Sequence, residues 1–148
     1  MWQEPSCQSI DGNAVSTLDK AMEPQAFFSN ELHQSTAPFS HLVRAGDLGF
    51  VSGIIGQNRD DGALVSDDVT AQCEAMFDNM QTLLGEVGLG FQHLLRTTLY
   101  LKDYDDFGAL NAVYGRRLNT PYPARTTVQV AALPLGAAVQ VDAVVAFR

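Results

Sequence analysis

The sequence predicts an α+β fold in the order ββαβαββ, with two helices on one face of a mostly antiparallel sheet. Three observations carry that expectation. From Val69 to Val87 apolar residues recur at steps of three and four, the spacing of one helix face. A shorter segment, Asp103 to Leu118, repeats the pattern. The segments around these two are rich in β-branched and aromatic residues or alternate apolar with polar, as strands with one buried face do. A helix with one apolar stripe and a sheet with one apolar face bury both by stacking as two layers.

Taken in chain order, residues 1–35 hold Glu4, Asp11, Asp19, Glu23 and Glu31 against Lys20, and neither period persists in them. They are expected to be an irregular N-terminal arm, either tied down by Phe27-Phe28 or mobile. The domain proper is expected to span 36–148. His41–Arg44 and Gly49–Ser52 flank Ala45-Gly46-Asp47-Leu48, a hairpin signal. Asn58–Gly62 reads as a second turn. The long helix follows, with Ser66 as its expected N-cap, Asp67 and Asp68 in its first turn, and Gly88 and Gly90 ending it. Leu94–Leu101 is a strand. The second helix runs through Phe107, Leu110, Tyr114 and Leu118 until Pro121 and Pro123 stop it. Arg125–Val130 and Ala138–Val145 alternate as strands, joined by Leu133-Pro134-Leu135-Gly136. There are no internal repeats.

Composition narrows the function. A chain of 148 residues with 46% hydrophobic and 18% charged residues can bury a core, and it lacks the roughly 18 consecutive apolar residues of a membrane span. A net charge of −8 argues against a nucleic-acid partner, which calls for a basic face. The N-terminus shows neither a basic patch nor an apolar run, so a secretory signal is not expected. Two cysteines, Cys7 and Cys73, cannot build a disulfide framework, no metal-ligand spacing occurs, and a reducing cytoplasm is the expected location. Cys73 falls on the apolar helix stripe and reads as a buried small hydrophobe.

Among polar residues Arg125 stands out. It opens a strand after Pro121-Tyr122-Pro123-Ala124, where a guanidinium at the sheet rim offers a planar fork for a carboxylate. A plain strand-edge Arg paired with an Asp is the competing reading. Gln140 and Asp142 lie two apart on one strand and share a face, which on pattern alone is a solvated one. Ser52-Gly53 ends a strand where a ligand could approach the backbone, or merely terminates it. Asn111 sits mid-helix, and such residues usually face water. His33, His41 and His93 lack partners at useful spacing and read as surface or structural histidines.

Together these residues resemble the reactive-intermediate deaminase family (RidA, or YjgF-like proteins), from about Thr36 to Arg148. The resemblance rests on Ala37-Pro38-Phe39-Ser40, Val43-Arg44-Ala45-Gly46-Asp47, Phe50-Val51-Ser52-Gly53, Thr97-Thr98, Asp105-Asp106-Phe107, Leu110-Asn111, Pro123-Ala124-Arg125-Thr126 and Leu133-Pro134, in that order. It implies a chorismate-mutase-like protomer, a homotrimer with ligand clefts between subunits, and no cofactor or metal. It also implies hydrolysis of 2-imino acids or enamines to 2-keto acids and ammonia. Arg125 matches the position that holds the substrate carboxylate; Phe39, Ser52, Gly53, Asn111 and Thr127 match others lining the cleft. Three positions depart from the pattern. Gln140 stands where the deaminases carry a glutamate, Phe39 replaces a tyrosine, and Thr127 replaces a cysteine. An amide can hold a water but cannot deliver a proton, and losing one positioned acid costs about a hundred- to ten-thousand-fold. Asp142, one same-face step along, is the alternative acid, though a shift of roughly 7 Å would move it outside hydrogen-bond reach of the same water.

The expectation is therefore a RidA-like deaminase with Arg125 and Gln140 as its catalytic pair. The alternatives are a trimer that binds a small carboxylate without catalysis, or a variant hydrolase or lyase. Ribonuclease activity is the weakest option, given the acidic balance.

Overall fold

The computed structural model describes residues 22–148. Six strands and two α-helices form two layers. The strands are β1 (Gln25–Phe27), β2 (Leu42–Ala45), β3 (Leu48–Ile54), β4 (Leu94–Leu101), β5 (Ala124–Gln129) and β6 (Val139–Ala146); the helices are α1 (Val69–Glu86) and α2 (Phe107–Arg117). The sheet runs β1-β2-β3-β6-β4-β5, and every neighbouring pair is antiparallel except β4–β5. A parallel pair needs a crossover connection, and α2 supplies it.

Each element follows from its residues. Gly46 turns β2 into β3 with φ 60°, the left-handed conformation glycine adopts without a Cβ clash. Along α1 the expected stripe is the buried one: Cys73, Met76, Phe77, Met80, Leu83 and Leu84 are all fully buried. Leu110, Val113 and Tyr114 of α2 meet that stripe, with Phe77 and Tyr114 packed edge to face. From the sheet, Leu99, Leu101, Val139, Val141 and Val145 close the core beneath both helices.

Some expectations change. The N-cap of α1 is Asp68, whose carboxylate accepts the N–H of Ala71; Ser66 acts one step earlier, its Oγ accepting the N–H of Asp68. The helix begins where its first apolar residue, Val69, reaches the sheet, and that leaves Asp68 at the cap. Asp105 and Asp106 fall in a short 3-10 turn before α2. Gln25–Phe27, placed in the irregular arm, adds an edge strand antiparallel to β2. The next residues are anchored too. Ser29 is fully buried, its hydroxyl on the Glu86 carboxylate and its N–H donating to Nδ1 of His41 at 2.9 Å. Cys7 and residues 1–21 lie outside the described residues.

Candidate functional site

The alternation of β4, β5 and β6 decides where each candidate residue goes. Val139, Val141 and Ala143 point into the core, so Gln140 and Asp142 point to the face that no helix covers. Arg125 is opposite Thr97 in the β4–β5 register, and Thr97 Oγ1 lies 2.9 Å from the hydroxyl of Tyr114 on α2. Arg125 and Thr127 therefore face the helices. The two residues expected to act together occupy opposite faces of the sheet.

On the helix face the Arg125 guanidinium lies 4.6 Å from the centre of the Tyr114 ring and 5.5 Å from that of Phe107. Such stacking suits a delocalised cation. Its Nε donates to Thr127 Oγ1 at 2.9 Å. Its Nη2 is buried and has no hydrogen-bond partner among the described residues. Burial lowers the pKa of Arg125, against the pull of Tyr114 and Tyr104, yet a guanidinium starts so high that it stays charged. Beside it opens a cavity of ≈ 270 Å³ lined by Asn111, Tyr114, Gly115, Tyr122, Pro123 and Arg125. Among the described residues no Asp or Glu pairs with Arg125, so the plain strand-edge ion pair is not what they build. Asn111 joins Arg125 instead of facing only water.

At the other candidate site, on the uncovered side of the sheet, Phe39, Ser52, Gly53 and Gln140 border a cleft of ≈ 700 Å³. Ser52 Oγ donates to the Ser40 carbonyl at 2.6 Å, which fixes the hydroxyl and leaves its lone pairs as acceptors. Gly53 lets the Gln140 side-chain amide lie against the backbone: a Cβ there would overlap that amide and displace it. Asp142 is committed elsewhere, accepting the Tyr100 hydroxyl at 2.6 Å, and that bond raises the Tyr100 pKa. It does not replace an acid at Gln140.

His33, Gln34, Ile55, Gln57, Pro134 and Leu135 also border this cleft, and sequence reasoning missed them. For Leu135 a signal existed in the turn Leu133-Pro134-Leu135-Gly136, where a leucine occupies a glycine-like place. His33 is held by Gly62 against its ring and by the Arg59 carbonyl at 3.2 Å. His41 and His93 are structural: His93 Nδ1 accepts the Gly90 N–H at 3.0 Å. Cys73 is inert, burial pushing its thiol up to about 12. Among the described residues no group of three or more His, Cys, Asp or Glu is placed to hold a metal, and no helix is long and apolar enough to cross a membrane.

A two-layer α+β fold with a half-buried arginine at one sheet edge, its Nη2 without a partner among the described residues, is the class of protein these features define. Residues 29–147 match the family described as Endoribonuclease L-PSP, and the chain belongs to that family, which includes the reactive-intermediate deaminases. Protein DfrA of Myxococcus xanthus is 39% identical over 127 residues, 84% of this chain and 97% of that one. The human 2-iminobutanoate/2-iminopropanoate deaminase is 35% identical over 107 residues, 72% of this chain and 78% of its own. The crystal structure of RidA from the Antarctic bacterium Psychrobacter sp. superposes with a TM-score of 0.78 at 30% identity, covering 82% of this chain and 98% of that one.

Proposed function

We propose that this protein hydrolyses small 2-imino acids or their enamine tautomers to 2-keto acids and ammonia, in a cleft completed by a second copy of the chain. The observation that carries this reading is the unpartnered Nη2 of Arg125. A buried donor without an acceptor is costly, and a substrate carboxylate gripped by the guanidinium fork would satisfy it. The human relative named as an imino-acid deaminase supports the same chemistry.

The opposite facing of Arg125 and Gln140 supports a shared site: one copy offers the cation with Asn111 and Thr127, and its neighbour offers Phe39, Ser52, Gly53 and Gln140. In the reaction, water adds to the imine carbon as the C=N pair moves to nitrogen. The carbinolamine then collapses to C=O while the C–N bond breaks and ammonia leaves. Arg125 holds the carboxylate, and Gln140 positions the water by hydrogen bonds. Its amide moves no proton, so solvent carries the protons. Imines are reactive enough for positioning alone to accelerate the step.

A second reading has its own observation. With an amide at position 140 and Asp142 tied to Tyr100, no carboxylate among the described residues borders the cleft, which favours a non-catalytic trimer that binds small carboxylates. One experiment separates the two. 2-Iminobutanoate generated in place by an amino-acid oxidase is followed for ammonia release, beside calorimetric binding of 2-oxobutanoate. Deamination above the buffer rate that is lost in Arg125→Ala establishes the enzyme. Binding lost in Arg125→Ala without any deamination establishes the carboxylate binder; neither would retire both. In the second case Gln140→Glu, which restores an acid, should bring hydrolysis above the buffer rate.

A further inference from the structure

The lining of the cleft on the uncovered side of the sheet is mixed: Ser52, Gln57 and Gln140 are among its polar side chains, and Phe39, Ile55, Pro134 and Leu135 among its apolar ones. Apart from His33, no side chain among the described residues that is able to carry a charge borders it. Leu135 is the unusual member. It is 63% exposed, so it adds little to the core, and its φ of 58° is a left-handed conformation that a side chain with a Cβ adopts only at a cost. Gly136, with φ 72°, follows it in the same turn. A glycine at 135 would relieve the strain and lose only an exposed leucine. A strained residue that the fold does not need points toward a role in what the cleft holds. Phe39, 42% exposed, borders the same cleft and presents a second apolar surface.

Resting on the reading that this cleft takes a 2-imino acid, we propose that Leu135, with Phe39 and Ile55, seats the substrate side chain and selects branched aliphatic or aromatic ones. Small side chains leave that surface wet. A second carboxylate would be desolvated there without a cation to receive it.

The test uses the full chain and the product acids as probes, with binding measured by calorimetry. 4-Methyl-2-oxopentanoate carries two more carbons than 2-oxobutanoate and should bind about tenfold tighter; 2-oxoglutarate should bind more weakly than either. In Leu135→Gly, a change the backbone favours, the tenfold preference should fall to about unity. Equal affinities for all three acids in the parent chain overturn the proposal. So does a preference that survives Leu135→Gly, or a variant that changes only the state of assembly, which would make Leu135 a contact between copies. If no 2-oxo acid binds at all, the proposed function falls and the inference falls with it; a flat ranking of acids that do bind overturns the inference alone.

Discussion

Arg125 is a cation held partly out of water with no carboxylate beside it among the described residues, an arrangement that costs stability unless a ligand completes it. Leaving a buried donor unmade costs about 1–3 kcal/mol. Arg125→Met, which keeps the stem against Tyr114 and Phe107 and removes the charge, should therefore leave the melting temperature unchanged or raise it by a few degrees while abolishing 2-oxobutanoate binding. A marked fall in melting temperature would show the guanidinium to be structural. His41 makes the opposite kind of statement. Its Nδ1 accepts the Ser29 N–H, its ring meets the edges of Phe28 and Phe39, and burial lowers its pKa below 6.5 despite the raising influence of Glu86. The unfolded chain thus binds the proton more readily than the folded one, so stability is lost as pH falls below the ordinary imidazole range. Thermal melts from pH 7.5 down to 5 should show that loss, and His41→Asn, which keeps an acceptor without a titration, should flatten the curve.

At the scale of an element, α1 shows how near to the surface of the sequence a helix can lie and still keep one detail hidden. Its apolar stripe was legible because seven of its positions recur at one angle, and only a helix brings them together. Its cap was not, because Ser66, Asp67 and Asp68 are all competent and the choice depends on where the helix meets the sheet. Asp68→Ala should cost about 1 kcal/mol and lower the melting temperature by roughly 2–4 °C. The outer residue Ser66, replaced by Ala, should cost less. Equal losses in the two variants would mean that the cap is shared. The short strand β1 was invisible for a different reason: three residues with two exposed carry no period to read.

At the scale of the molecule, the uncovered side of the sheet presents Leu48, Phe50, Leu95 and Val128, all exposed. Exposed apolar side chains gathered on one sheet face suit contact with another copy. If the copies assemble as the homotrimer that the family resemblance implies, light scattering should give about three times the 16.0 kDa mass of one chain. Phe50→Asp, which places a charge on that face, should reduce the mass to one protomer. It should also remove ligand binding, although Arg125 lies on the opposite side and is untouched. A monomeric variant that still binds 2-oxobutanoate would show that one chain holds a whole site.

The sequence by itself determined both helices, the five strands after β1 and the two-layer class, because period, turn chemistry and motif spacing are properties of neighbours along the chain. It also determined that Gln140 and Asp142 share a face, since a strand alternates with a period of two. Only the tertiary structure decided that Arg125 and Gln140 turn away from each other. Their facing depends on the register of β5 on β4 and of β4 on β6, pairings between residues far apart in sequence. The same holds for the match between Gly53 and the Gln140 amide, and for the strained Leu135 at the cleft edge. These are packing facts, and no local pattern encodes them.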